Sequence, residues 1–239
     1  MKYFSLLLFI TSLLTSFTVS ADISADSGAT ELKQALARSM PGIEPSKISI
    51  TPVTGLYEVI VGSQVVYMSV DARYMIEGDL IDLKTKANIS ENAKSSIRLA
   101  AIDHLGADNM LIYKPKEVKD TITVITDINC TYCRRLHSEI PVYLKNNVEV
   151  RYVFMSERGS GDGMKKTISV WCSDDKQLAL DVAKAGGKVE EKNCDNPIKQ
   201  HLALARELGV RGTPAIILED GQLLPGYVQA DKLIAEIRK

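Results

Sequence analysis

The sequence predicts a two-domain α+β chain in which a small N-terminal unit is joined through a helix to a larger C-terminal unit. Three observations carry this prediction. Thr121 to Ile140, TITVITDINCTYCRRLHSEI, runs from alternating β-branched residues through a polar break into a C-x-x-C pair and then into helical periodicity. Residues 48–83 hold five short β-like segments separated by turn residues. Between these regions lies SENAKSSIRLAAIDHL, a continuous stretch with a narrow apolar stripe at helical spacing, closed by Gly106.

The chain opens with Lys2, an apolar run from Phe4 to Leu14, and the small residues Val19-Ser20-Ala21. This pattern predicts a secretory leader over residues 1–21, cleaved before Asp22; an uncleaved anchor is the alternative, although the run is short for a bilayer span. The full chain of 239 residues has a formal net charge of −1, and removal of the leader, with its one lysine and no acid, lowers this to −2. So balanced a charge argues against a nucleic-acid footprint. All four cysteines lie in the exported part, an even number that suits an oxidising compartment.

The first domain is expected over residues 22–88. Thr30 can cap a helix through Ser39 that ends at Pro41-Gly42, with Leu32, Ala35 and Leu36 on one face. Strands are expected at Ile48–Val53, Tyr57–Val61, Val65–Val70, Tyr74–Ile76 and Leu80–Leu83. This region holds no cysteine, histidine or cluster of catalytic carboxylates, so chemistry is not expected there. A unit this small, with open sheet edges, gains from pairing with a second copy.

Residues 89–107 read as a linker helix, with Ser90 as its N-cap and Ala93, Ile97, Ala100, Ala101 and Leu105 as its stripe. An ordinary helix packed within one domain is the alternative. Residues 108–239 form the second domain. After the C-x-x-C helix, Val148–Met155 alternates as a strand, and helices are expected at Met164–Trp171, Gln177–Lys184 and Ile198–Leu208. A hairpin follows around Asp220-Gly221, and Ala230–Arg238 closes the chain as a helix.

The chemistry concentrates at Cys130 and Cys133. A strand, a short turn and C-x-x-C at a helix start is the thioredoxin-like arrangement. The unpaired N–H groups and positive dipole end of a helix start stabilise a thiolate, and Arg134 and Arg135 are expected to add positive charge. Cys130, at the tip, is the expected low-pKa nucleophile, and Cys133, one turn in, its more buried partner. A zinc site would need a second ligand pair, and His137 offers only one further ligand. A purely structural bridge would not need the strand-to-helix tip. Thr213-Pro214, directly before a strand, is the second feature: with C-x-x-C upstream it is expected as a cis bond facing the sulfurs, where Thr213 can pair with an extended substrate, and a trans bond at the strand's first residue is the alternative. Cys172 and Cys194, 22 positions apart, read as a structural staple worth roughly 3 kcal/mol, with a second redox centre as the alternative. Trp171 is expected in the core beside that bridge.

TDINCTYCRRLH, SVWC, Cys194, GVRGTPAIIL and LLPGY, in this order, resemble the periplasmic disulfide isomerases of the DsbC/DsbG type. GLYEV, ARYMIEGDLIDL and NMLIYKP extend the resemblance over nearly all of the exported chain. It implies a homodimer built on an N-terminal cystatin-like dimerisation domain, a linker helix, and a C-terminal thioredoxin fold with a helical insertion. By position it implies Cys130 as nucleophile, Cys133 as its partner, Cys172–Cys194 as a second disulfide and Thr213-Pro214 as the cis-Pro motif. Two departures stand out. The dipeptide Thr131-Tyr132 replaces the Gly-Tyr or Pro-Tyr of that family, and it tunes the balance of isomerase, reductase and oxidase. Glu157-Arg158 stands where a proline-containing loop is expected.

The implied activity is isomerisation or reduction of non-native disulfides in misoxidised or unfolded exported proteins. No metal or organic cofactor is required, and a DsbD-type inner-membrane electron donor is the implied reductant. A dithiol oxidase of the same fold and a thiol-independent dimeric chaperone are the alternatives.

Overall fold

The computed structural model of the protein describes residues 24–156 and 161–238. The leader at residues 1–21 and the Glu157-Arg158 departure lie outside the described residues. By packing, the chain divides into two compact units, residues 24–59 with 66–76 and residues 60–65 with 77–238.

In the N-terminal region, α1 (Ser24–Ser39) precedes a four-stranded sheet of β1 (Lys47–Ile50), β2 (Leu56–Val61), β3 (Gln64–Ser69) and β4 (Met75–Glu77), in that spatial order. The helix starts ahead of the expected cap at Thr30. No proline lies between Ser24 and Thr30, and the burial of Leu32, Ala35 and Leu36 fixes the helix whichever hydroxyl begins it, so the single Gly28 is tolerated. β2 and β3 contribute the buried Val59, Val66, Tyr67 and Met68. β4 is an edge, with Met75 and Ile76 more than half exposed.

The strand expected at Leu80–Leu83 does not form; only an isolated bridge joins Ile81 to Asn88. The Asp82 carboxylate instead accepts the Lys84 and Thr85 N–H groups at 2.8 and 3.3 Å, folding the segment into a turn. In α2 (Ile89–Leu105) the expected cap also moves. Asn88 is the N-cap, and Ser90 is buried inside the helix with its Oγ accepting the Leu80 N–H at 2.8 Å. The packed face of α2 is Arg98, Ile102 and Leu105, while Ala100 of the expected stripe is exposed. Arg98 lies on that face because its guanidinium is satisfied there: it pairs with Glu91 and donates to the Gly221 carbonyl at 2.9 Å.

The second unit is built on a five-stranded sheet of β5 (Leu111–Tyr113), β6 (Asp120–Thr126), β7 (Val148–Phe154), β8 (Ala215–Ile217) and β9 (Leu223–Pro225), in spatial order β5-β7-β6-β8-β9. β6 and β7 run parallel in register from Asp120↔Val148 to Thr126↔Phe154, and the other pairs are antiparallel. Side-chain alternation divides the core between the faces. Ile122, Val124, Val150, Tyr152 and Ile216 pack with α3 (Thr131–Ser138), α4 (Ile140–Lys145), α5 (Gly161–Trp171), α6 (Lys176–Lys184) and α8 (Ala230–Ile237). Ile125, Val153, Ala215 and Ile217 pack with Ile102 and Leu105 of α2 and with Leu204 and Leu208 at the end of α7 (Ile198–Glu207). Pro141 is not what ends the C-x-x-C helix. That helix stops at Ser138, and Pro141 lies in the first turn of α4, where its missing N–H costs nothing.

Candidate active site

β6 delivers Thr126, fully buried, to the edge of the site. The chain then turns at Asp127, whose carboxylate accepts the Asn129 N–H at 2.6 Å and whose carbonyl accepts the Cys130 N–H at 3.3 Å. This turn places Cys130 as the N-cap of α3, in extended conformation, with its sulfur 3.5 Å from the Cys133 N–H. Cys130 is half-buried, whereas Cys133 is 1% exposed.

The two sulfurs have opposite electrostatics. Burial pushes the Cys130 thiol up, but the backbone N–H of Cys133 and further contacts from Thr213, Cys133 and Tyr132 outweigh it, leaving the pKa below that of an ordinary thiol. For Cys133 burial prevails and raises the pKa, opposed by the charge of Lys184 and by hydrogen bonds that include the Asp127 N–H, 3.5 Å away. The positive charge facing the sulfurs therefore comes from Lys184, not from the expected arginines. Arg134 donates to the Ile128 carbonyl at 3.2 Å, and the Arg135 guanidinium lies over the Tyr227 ring, 4.9 Å from its centroid.

The Thr213–Pro214 bond is cis, and the Cys130 thiol donates to the Thr213 carbonyl at 3.2 Å. Cys130, Cys133, Thr213 and Pro214 thus converge. Thr131 and Tyr132 occupy the exposed first turn of α3, where the Tyr132 ring stacks on Tyr227, centroids 6.4 Å apart. Tyr227 in turn donates to Glu139 Oε1 at 2.6 Å, and Glu139 Oε2 accepts the Ala230 N–H at 2.8 Å. Cys172 and Cys194 are bonded to each other, away from the C-x-x-C pair, and Trp171 beside them is 6% exposed within the core.

Three buried groups behind α3 escape a reading of sequence alone. His137 donates through Nε2 to Asp181 Oδ1 at 2.9 Å, so Nδ1 is left to accept the Tyr152 hydroxyl at 3.1 Å. Tyr113 donates to the same Asp181 oxygen at 2.6 Å. Burial, followed by the charge of Lys184, keeps the His137 pKa below its ordinary value. Lys184 itself is 4% exposed and donates to Thr126 Oγ1 at 2.7 Å and to the Asp127 carbonyl at 2.8 Å. The i, i+3 spacing of Asp181 and Lys184 on one helix was the available signal, but nothing in the sequence shows that this face is buried.

Residues 107–239 match the thioredoxin-like domain, and residues 22–91 match the N-terminal domain of disulfide bond isomerase proteins. The chain is 36% identical over 214 residues to the thiol:disulfide interchange protein DsbC of Escherichia coli K12, covering 88% of this chain and 89% of that protein. It is 35% identical over 197 residues to the Salmonella typhimurium DsbC, covering 82% and 81%. Among solved structures, a disulfide interchange protein from Neisseria gonorrhoeae superposes with a TM-score of 0.50 at 25% identity, covering 56% of this chain and 99% of that one. Full-length sequence likeness and a C-x-x-C pair at a helix start on this sheet agree: the chain belongs to the DsbC family of thiol:disulfide interchange enzymes.

Proposed function

We propose that this chain isomerises or reduces non-native disulfides in exported proteins, with Cys130 as the attacking sulfur and Cys133 as the resolving one. The observation that carries this reading is the asymmetry of the pair: an accessible thiol held below its ordinary pKa beside a buried thiol held above it. The Cys130 thiolate attacks a client disulfide; one client sulfur joins Cys130 and the other leaves as a thiolate that takes a proton from water. A second client thiolate then displaces Cys130 and forms a new pairing, which regenerates the reduced enzyme. If no such thiolate arrives, Cys133 displaces the client, and the enzyme must be reduced again by a DsbD-type membrane donor. Thr213, whose carbonyl already contacts the Cys130 sulfur, is positioned to pair with the client backbone.

In this reading residues 22–88 are the dimerisation domain, 89–107 the linker and 108–239 the catalytic domain. The open β4 edge, with its exposed Tyr74, Met75 and Ile76, supports self-association into a homodimer. The leader and the family relationship support a periplasmic location. The test is rescue of a scrambled multi-disulfide substrate. Cys130→Ser should abolish it, and retained rescue refutes the assignment. Thiol trapping in living cells should find Cys130 and Cys133 mostly reduced; a mostly oxidised pair would instead indicate a dithiol oxidase.

A further inference from the structure

Lys184 is a buried cation that the reaction above does not use. Its two hydrogen bonds go to neutral oxygens, Thr126 Oγ1 and the Asp127 carbonyl. A buried ammonium costs several kcal/mol unless an anion lies close by. The groups facing it are Cys133 and Cys130, the Asp127 carboxylate in the active-site turn and, with opposite effect, Arg134 of α3. Behind them stand the neutral His137, held by Asp181 of the same helix as Lys184, and the Tyr152 phenol of β7. With its own oxygen accepting from Lys184, the Thr126 hydroxyl is free to donate toward Cys133.

We propose that Lys184, acting through Thr126, is the positioning residue that supplies the counter-charge for the Cys133 thiolate and so sets how fast a client caught on Cys130 is let go. The proposal rests on the reading that Cys130 attacks and Cys133 resolves. In the step concerned, Cys133 loses its proton to solvent and its thiolate attacks the Cys130 sulfur. The Cys130–Cys133 bond forms, the bond from Cys130 to the client sulfur breaks, and the client leaves as a thiolate that takes a proton from water. The enzyme pair is oxidised by two electrons and the client disulfide is reduced by two. Lys184 keeps its protons throughout; burial lowers its pKa to about 8, which still leaves it mostly charged at neutral pH. The consequence is a partition: a stronger counter-charge favours reductive release by Cys133, and a weaker one leaves more time for a client thiol to complete isomerisation.

The test uses the mature chain carrying Cys130→Ser, in which Cys133 is the one free thiol because Cys172 and Cys194 are bridged. Thiolate absorbance followed against pH gives the Cys133 midpoint. Lys184→Met should raise this midpoint by about one pH unit or more, as loss of a close opposite charge does. In the chain with both active thiols, release of glutathione from the Cys130 mixed disulfide should slow about threefold at pH 7, because a smaller thiolate fraction is partly offset by a more nucleophilic sulfur. Thr126→Val, which keeps the shape and removes the hydroxyl, should move the midpoint in the same direction, and it carries the test if Lys184→Met does not fold. A purely structural role would lower the melting temperature and leave the midpoint in place; an unmoved midpoint in the folded variants overturns the proposal. Failure of the broader reading would appear separately, as no mixed disulfide on Cys130 at all.

Discussion

Gly221, at the tip of the β8–β9 hairpin, offers the sharpest test of how α2 is held in the second unit. Its φ is +83°, and a Cβ there would lie 2.5 Å from the Ser95 carbonyl oxygen and 2.8 Å from the Ser95 carbonyl carbon, both backbone atoms of α2. Gly221→Ala therefore has two separable costs. A left-handed backbone costs a non-glycine residue about 1–2 kcal/mol. The clash must be relieved by moving a helix rather than a side-chain tip, at about 1–3 kcal/mol. Relief by separation also stretches the bond from Arg98 to the Gly221 carbonyl, a charge-assisted contact of the kind worth about 1.5–3 kcal/mol, so the second cost falls at the upper end of its range. Together these come to about 3–5 kcal/mol, or a melting temperature lower by about 10 °C in a chain of this size. Gly209→Ala is the matched control in the same unit: its φ is +67°, but open space surrounds the new methyl, so only the backbone cost applies. Thermal unfolding followed by circular dichroism compares the two. Equal shifts would show that the close approach to Ser95 costs nothing and would refute the reasoning.

Three further outcomes are expected. Alkylation of the reduced chain at rising pH should label Cys130 at a lower pH than an ordinary thiol and Cys133 at a higher one; indistinguishable profiles would remove the asymmetry on which the site rests. Asp181→Ala strands the His137 Nε2–H, while the Tyr113 hydroxyl turns to the Gln177 carbonyl 3.0 Å away, and urea unfolding should show a loss of about 1–2 kcal/mol, because the half-exposed Asp181 position admits some water. Asp181→Asn, which keeps an acceptor oxygen, should lose less than half of that. The fully buried His201, which accepts the Phe154 N–H and donates to the Asn109 carbonyl, is lowered by burial to about 4. The unfolded chain thus binds the extra proton first, so this contribution is intact above about pH 6.5 and is lost as pH falls toward 4, by up to about 3 kcal/mol. Urea unfolding measured from pH 7 to pH 4 should show that slope, and His201→Gln should flatten it.

What the sequence discloses is local. The run from Thr121 to Cys133 shows itself through β-branched alternation followed by a turn and two cysteines, and the structure keeps that order residue for residue. Thr213-Pro214 and the helices of the insertion were legible for the same reason, since each is encoded within a dozen neighbouring residues. β5 was not: three residues between Met110 and Lys114 are too few to show a period, and only pairing with β7 makes them a strand. Leu80–Leu83 failed in the other direction, its strand-like composition yielding to the Asp82 turn. The electrostatics were misassigned because Arg134 and Arg135 adjoin the sulfurs in sequence, while the cation that faces them comes from a helix some fifty positions further on. A lysine in the last turn of an amphipathic helix ordinarily points to water, and only tertiary packing buries this one.

The Cys172–Cys194 bond closes a segment that contains α6, the helix presenting Asp181 to His137 and Lys184 to Thr126. The second disulfide is thus a clasp on the very arm that reaches behind the reactive pair. Opening it would loosen the arm that carries both side chains, and a displaced Lys184 would register in the Cys133 titration.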